Sequence, residues 1–369
     1  MKILHLSAVR NWGGGEQHIE NLCLEMAKNH SEVLNIVLCR KGSRFEHRLK
    51  KQNFRYYTSP LLSNFDFRYA LKIISTCKKE SIDLIHIHDP KALTLAIIAD
   101  HFYELPPLVF SKKTSFPIRQ NKGTLYKYNY KKLQKILCVS KTTKNLTFEY
   151  LERLERLKVI YHGTRIDNKS TETPFRLRDK LGLQEETVII GNVANHIEAK
   201  DLETFLKTVR YLVKEKKQEN LHFVQMGRFS RITPVLQELI EKWDLEKHIS
   251  MLGFLPDASN FIPQFDATLL TSENEGIPQV IYESFYHRVP VVSTRAGGIS
   301  EVIEHKVNGL LAECYDHREL GENLLFLKDN PQLIPTFTEI SKNKLLKGFT
   351  AEKMAKQTLE EYKKVINGH

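Results

Sequence analysis

The sequence predicts an α/β protein built from two doubly wound, Rossmann-like domains in series. Short apolar, β-branched runs alternate with amphipathic stretches from one end of the 369 residues to the other. Those runs are nearly continuous in apolar character, as strands of a parallel sheet covered on both faces are. The alternation pauses once, in the polar stretch TRIDNKSTETPFRLRDKLGLQEE (164–186), and then resumes. At roughly 100–200 residues per domain, the length also suits two domains.

Taken in order, KILHLSA (2–8), LNIVLCR (34–40), DLIHIHD (83–89), PLVFS (107–111), KILCVS (135–140) and KVIYHG (158–163) read as buried strands. EQHIENLCLEMAKN (16–29) and FRYALKIISTCKKE (67–80) are amphipathic at helical period between them. After the pause, TVIIGNVA (187–194), LHFVQMG (221–227), ISMLGF (249–254), ATLLTS (267–272) and PVVST (290–294) are strands, each followed by a helix-length segment. TAEKMAKQTLEEYKKVI (350–366) is a last amphipathic helix with Thr350 as its N-cap. The expected division is an N-terminal domain over 1–168, a second over 169–349, and a terminal helix over 350–369.

Composition narrows the function classes. With 41% hydrophobic and 27% charged residues, and only 17 Gly and 13 Pro, the chain builds cores and is neither collagenous nor a disordered linker. Its five cysteines (Cys23, Cys39, Cys77, Cys138 and Cys314) never stand at C-x-x-C spacing, which argues against a disulfide framework or zinc knuckle and suits a reducing cytosol. The start, MKILHLSAVRNWGGGE, does not read as a signal peptide, and no apolar run approaches the roughly 20 residues of a membrane span. The expectation is a soluble cytoplasmic protein. Charge is unevenly spread: residues 1–168 hold 29 Lys+Arg against 15 Asp+Glu, while 169–369 hold 26 against 29. The densest run is 112–144, where Tyr126, Tyr128 and Tyr130 interleave with lysines, a composition that suits an anionic membrane interface as well as a nucleic-acid one. No helix-turn-helix, zinc-finger or RNP-type signature favours nucleic acid.

Ligands of doubly wound sheets bind beyond the carboxyl ends of the strands, so the loops after each strand carry the candidates. The most informative is SENEGIPQVIYESFYHRVPVVSTRAGGISEVI (272–303). Glu275-Gly276-Ile277-Pro278 opens a helix, with Pro278 suited to its first position, and a helix N-terminus favours an anion. Glu283 follows about 7 Å along that helix, where a carboxylate can accept from the vicinal hydroxyls of a ribose. The spacing suits a nucleotide diphosphate bearing a polyol. It equally suits an acidic residue favouring the helix dipole and a surface glutamate.

EGIPQVIYE, followed by HRVPVVSTRAGGISEVI and VNGLLAE, resembles the retaining glycosyltransferases of family 4, which have the GT-B fold. The likeness runs nearly the whole chain: KILHLSAVRNWGGGEQHIENLCLEMAK, ILCVSKTTKNL, VIYHGTRID, VIIGNVANHIEAKDLETFLKTV and FVQMG are similar to the family's segments in the same order. The resemblance implies two domains facing across a cleft, with the terminal helix crossing back to the first. It implies that Glu283 holds the donor ribose, that Glu275 and the backbone of Gly276 and Ile277 contact the transferred sugar, and that Lys200 neutralises the leaving diphosphate. Gly13, Gly14 and Gly15 would let backbone approach the phosphates and the acceptor.

Three departures stand out. Asn195 takes the place of the arginine that normally precedes the lysine, so a phosphate charge is missing or is supplied by His196, Arg228 or another lysine. Lys112-Lys113 stands where many members have a histidine near the donor sugar. Phe229 replaces the second glycine after FVQMG, following Gly227 and Arg228.

His86 and His88 alternate on one strand and so point the same way, with Asp89 just beyond. His86 reads as a structural histidine. His88, with Lys113, is a candidate acceptor-side contact, and the pair lacks a third ligand for a metal. Gly297, Gly298 and Glu301 shape a loop near the donor, and Asn308-Gly309 is a turn. The expectation is a hexosyltransferase that retains configuration and uses a UDP- or GDP-sugar and no metal. Its acceptor would be a glycan or lipid-linked molecule of lipopolysaccharide or surface polysaccharide assembly, met at the inner face of the plasma membrane. The rivals are a non-hydrolysing nucleotide-sugar 2-epimerase and a nucleotide-sugar-binding scaffold without catalysis. A nicotinamide dehydrogenase is disfavoured, since GxGxxG is absent from the first strand–helix turn.

Overall fold

The computed structural model describes residues 1–63, 66–167 and 170–368. The chain forms two units: Met1–Arg165 with the segment from Phe349 onward, and Ile166–Gly348. The break expected at 168/169 lies outside the described residues.

Unit 1 is a seven-stranded parallel sheet of β1 (Lys2–Ser7), β2 (Leu34–Arg40), β3 (Tyr56–Ser59), β4 (Leu84–Ile87), β5 (Leu108–Lys112), β6 (Leu133–Cys138) and β7 (Leu157–Val159). Its order is β3-β2-β1-β4-β5-β6-β7. The helices are α1 (Gly14–Asn29), α2 (Arg44–Lys51), α3 (Phe67–Glu80), α4 (Pro90–Phe102), α5 (Lys122–Tyr128) and α6 (Lys141–Phe148). Alternation along the strands splits the core in two. Leu4, Leu6, Ile36, Leu38, Ile85 and Ile87 pack with residues of α3 and α4, while Ile3, Leu84, Val109 and Leu137 point the other way.

That second face is covered by α1 and by α13 (Ala351–Asn367), which belongs to unit 1 although it follows unit 2 in sequence. The return is stapled: Thr164 N–H donates to the Phe349 carbonyl at 3.0 Å, and Ala351 N–H to the Thr164 carbonyl at 2.9 Å. Gly163 makes this possible, because a Cβ there would lie 2.4 Å from the Thr350 carbonyl oxygen. Thr350 accepts from Lys353 N–H as the N-cap of α13.

Unit 2 has six parallel strands: β8 (Val188–Val193), β9 (Leu221–Met226), β10 (Ile249–Met251), β11 (Ala267–Leu270), β12 (Val291–Thr294) and β13 (Leu310–Ala312). Their order is β10-β9-β8-β11-β12-β13, with helices α7 (Leu177–Leu181), α8 (Leu202–Arg210), α9 (Thr233–Lys242), α10 (Gln279–His287), α11 (His317–Asp329) and α12 (Ile334–Gly348). In each sheet the order reverses beside its first strand, so the switch points lie between β1 and β4 and between β8 and β11. Two strands escape the sequence pattern, β3 (YYTS) and β13 (LLA). Both are short edge strands, as are β7 and β10, but unlike those they contain no Ile or Val to mark a strand. Among the described residues no helix is long and apolar enough to cross a membrane.

Candidate active site

The loops that leave β8 and β11 at the switch point of unit 2 are tied together by the backbone. Glu273 N–H donates to the Ala199 carbonyl at 3.1 Å, and the Thr271 hydroxyl donates to the carbonyls of Lys200 and Asp201. Asp201, at φ +43°, turns the chain and caps α8 by accepting from Thr204 N–H. This fixes Lys200, whose ammonium pairs with the Glu275 carboxylate. The Ser272 hydroxyl donates to the same oxygen, Glu275 Oε1, at 2.8 Å. The ion pair is mostly but not fully covered, the Lys200 side chain at 22% exposure and that of Glu275 at 12%.

The loop after β12 then holds the motif from behind. Gly297 adopts φ +54°, and Gly298 N–H donates to the carbonyls of Gly276 and Glu275, at 2.9 and 3.2 Å. Glu301 ends the short 3₁₀ turn that follows. Ile277 is buried, and Pro278 is the extended N-cap of α10 rather than its first helical residue. Among the described residues no side chain caps that helix, so its first N–H groups are left to backbone, water or ligand. Glu283 is buried on its second turn. One residue carried no sequence signal: Gln279 opens α10 with both amide atoms shut from solvent and without hydrogen-bond partners among the described residues. Such groups are uncommon and ask for a reason.

A second loop pair stands on the other side of β8. Gly227 is obligatory, since a Cβ there would lie 1.8 Å from the Ala194 carbonyl oxygen. The crossing lets the Asn195 side-chain oxygen accept from Arg228 N–H at 2.9 Å, so Asn195 joins two loops. The Arg228 guanidinium lies 5.3 Å from the centroid of the half-exposed Phe254 ring. His196 cannot replace the missing arginine. It is fully buried, its ring nitrogens pair with Thr233 Oγ1 at 2.9 Å and Gln225 Oε1 at 2.8 Å, and burial holds its pKa down. Phe229 occupies the expected second glycine position and lies over the His196 ring, centroids 5.0 Å apart.

In unit 1, α1 begins at Gly14 with Gly13 as an uncapped N-cap. Glu16 reaches back to Gly13 N–H, half of a capping box. The Lys113 ammonium donates to the Gly15 carbonyl at 2.8 Å. Burial pushes the Glu16 carboxyl up and the Lys113 ammonium down, each opposed by the other's charge. Asp89 ties the strand ends by accepting from Ala8 N–H while capping α4.

Beneath them lies a buried histidine network. His5 Nδ1 and His88 Nε2 are 3.0 Å apart, His5 Nε2 meets Asn35 Oδ1, and His18 and His162 pair through Nδ1 at 2.7 Å. His86 bonds Ser111 and Tyr362 of α13. His5 supplies the third nitrogen that the His86/His88 pair lacked in sequence: one ring nitrogen of each lies within 4.8 Å of the others. Both nitrogens of His5 and His86 are nevertheless held by protein groups, so an ion would have to break those bonds, and the donor set fits a hydrogen-bonded core better than a metal centre. His88 is 5% exposed, and its Nδ1 finds no hydrogen-bond partner among the described residues.

The run 112–144 is not one basic surface. Lys112 is buried, anchoring the carbonyls of Thr114 and Phe116. Lys132 pairs with Asp100 and Glu104, and Lys135 with Glu361, while Tyr128 and Tyr130 lie in the core. Alternating residues of one segment face in and out, which composition alone does not reveal.

The comparisons with known proteins agree with this fold. The family model described as "Glycosyl transferases group 1" matches residues 175–344, and "Glycosyltransferase Family 4" matches residues 12–168. The N-acetyl-alpha-D-glucosaminyl L-malate synthase of Bacillus anthracis is 23% identical over 79% of this chain and 77% of its own. The UDP-Gal:alpha-D-GlcNAc-diphosphoundecaprenol alpha-1,3-galactosyltransferase of Escherichia coli is 20% identical over 94% and 93%. Among solved structures, HepE of Anabaena in complex with UDP and glucose superposes with a TM-score of 0.84 at 21% identity, covering 98% of this chain and 99% of that one. With two matched families covering most of its length in order, and two parallel-sheet units behind them, the chain belongs to the GT-B group 1 glycosyltransferases.

Proposed function

We propose that the protein transfers a hexose-type sugar, with retention, from a nucleotide-diphosphate sugar to a lipid-linked or glycan acceptor of lipopolysaccharide or surface polysaccharide assembly, at the inner face of the plasma membrane. The observation that carries the reading is the Lys200–Glu275–Ser272 cluster beside the N-terminus of α10, which no side chain caps among the described residues. A leaving diphosphate needs fixed positive charge, and an ammonium with a helix N-terminus supplies it. Lys200 and α10 then do the work a metal ion would otherwise do. Glu283 accepts from the ribose hydroxyls. Glu275 and the backbone of Gly276 and Ile277 hold the sugar, with Gln279 as a further polar contact. Gly14, Gly15, Asn195, Gly227 and Arg228 serve the donor and Lys113 the acceptor, while His88, closed into the buried network, supports that side from beneath.

In the chemical step the bond from the sugar's anomeric carbon to the diphosphate oxygen breaks and a bond to the acceptor oxygen forms on the same face. The acceptor's proton passes to the departing diphosphate oxygen. Support for UDP as the nucleotude's identity comes from HepE, solved with UDP and glucose, and from the galactosyltransferase relative, whose name states a UDP-Gal donor and a diphosphoundecaprenol acceptor.

Calorimetric titration with UDP, GDP, ADP and NAD, repeated on Glu283→Ala, tests the reading. UDP is expected to bind, weakened by roughly 1–3 kcal/mol in the variant. Binding of NAD alone, or UDP binding indifferent to Glu283, overturns it.

A further inference from the structure

The outward face of α3, α4 and α5 carries large apolar side chains that unit 1 does not bury. Phe67 and Leu71, one turn apart on α3, are 56% and 61% exposed; Phe102 at the end of α4 is 69% exposed, and Tyr126 on α5 is 52% exposed. They form a continuous surface. The Phe67 and Phe102 rings meet edge to face with centroids 6.1 Å apart, and the Tyr126 hydroxyl lies 3.4 Å from Nε2 of His101, the residue before Phe102. Isolated exposed apolar residues need no explanation, but a connected set does.

Charge on this face is one-sided. Lys72, Lys78 and Lys79 come from α3 and Lys122 and Lys127 from α5, while Arg68 is offset by its ion pair with Asp66. The carboxylates nearby are engaged with the fold. Asp66 caps α3 and holds Arg68; Glu80 is buried between Tyr57 and Arg55; Asp100 accepts from Tyr130; Asp83 accepts from Lys2 N–H; and Glu104, though 89% exposed, is matched by Lys132. Two of the ammonium groups rest over aromatic rings, Lys72 Nζ 5.0 Å from the Tyr57 centroid and Lys78 Nζ 4.5 Å from that of Tyr103, so cation and aromatic surface are interleaved on this face.

We propose that this face seats unit 1 on an anionic phospholipid bilayer. Phe67, Leu71, Phe102 and Tyr126 enter the boundary between headgroups and acyl chains, and the cations around them meet lipid phosphates. A bilayer matches both halves of the pattern at once, offering apolar depth and dense negative charge over an extended plane. The proposal rests on the reading of a membrane-borne acceptor for its purpose and names the surface that reaches it.

The full chain is sedimented with vesicles of phosphatidylcholine alone and with about one-third phosphatidylglycerol, at low salt and at about 0.5 M salt. Binding to the anionic vesicles only, weakened by salt, is expected. The triple variant Phe67→Ser/Leu71→Ser/Phe102→Ser should lose about tenfold or more of that binding while keeping the parent's circular dichroism. Phe102→Trp guards against a misfolded triple variant: brominated lipid should quench its added fluorescence beyond that of the parent. Absence of vesicle binding, or binding that is indifferent to the triple variant with no added quenching in Phe102→Trp, overturns the proposal. UDP titration of the same preparations reports separately on the active site, so either reading can fail without the other.

Discussion

The two switch points of this molecule share a topology and differ in what fills them. At that of unit 1, between β1 and β4, the polar groups are closed in: His5, His86 and His88 are buried and bonded mainly to one another, to Asn35, Ser111 and Tyr362. At that of unit 2, between β8 and β11, an ammonium and a carboxylate pair at a helix start while keeping some exposure. Polar groups sealed in protein contribute to a unique core. Polar groups held by backbone but left reachable can exchange one partner for a ligand. The same crevice is thus spent on architecture in one unit and kept for chemistry in the other.

The largest effect that tests this contrast is Lys200→Ala. Loss of a fixed charge aimed at a developing anion should lower UDP release from the UDP-hexose by about 10²–10³-fold, with thermal stability nearly unchanged. EDTA should leave the parent's rate as it is. A large fall in melting temperature with little loss of rate would make the pair structural and erase the contrast. Glu275→Gln sharpens it further. The carboxylate both steadies Lys200 and competes with diphosphate for it, so the variant should bind UDP at least as tightly as the parent while turnover falls about 10²-fold. Weakened UDP binding would show that Glu275 acts on the nucleotide and not on the sugar.

The histidine network predicts an effect of the opposite kind, on stability and not on the donor. Burial holds His5 down to about 4 and His162 down to about 3, with His18, His86 and His88 also well below their ordinary range. The unfolded chain therefore takes up protons first as pH falls below about 6.5. The contribution of the neutral network is complete above that pH and is lost progressively toward the folded-state values, at about 1.4 kcal/mol per pH unit for each excess proton bound on unfolding. Glu16 and Asp89, whose carboxyls are raised by burial, offset part of this. Hydrogen exchange between pH 7 and pH 5 should show unit 1 loosening before unit 2, which buries fewer histidines, and equal loosening would refute the assignment.

The difference between the units also governed what the sequence could reveal. Lys200, Glu275 and Glu283 sit in loops and first turns whose order along the chain is itself a signature, so they are legible one segment at a time. The buried network is assembled from β1, α1, β4, the turn after β7 and α13. Only its His86/His88 portion shows locally, and the third nitrogen, from His5, emerges only when β1 pairs beside β4. Lys112 and Lys113 are adjacent in sequence, yet one anchors a loop from within and the other reaches the Gly15 carbonyl. The edge strands β3 and β13 carry no Ile or Val and gave no strand signal, whereas the central strands announced themselves by apolar runs buried on both faces. His196 looked available as a cation because its partners, Thr233 and Gln225, lie far along the chain.

The smallest effect concerns Gln279. Its amide is buried at the start of α10 without hydrogen-bond partners among the described residues, a cost of roughly 1–3 kcal/mol that a purely structural position would have no cause to carry. Gln279→Leu keeps most of the volume and removes the unmet polar atoms. If the amide is kept for the donor, the variant should gain about 1 kcal/mol of stability and lose about tenfold in kcat/KM for the UDP-hexose, with UDP alone binding as before. The split between sugar and nucleotide is the decisive readout, because a packing role would move stability and leave both ligands alone. A variant that is more stable and fully active would place Gln279 with the closed polar core of unit 1, and would show that the open switch point too carries groups its chemistry does not use.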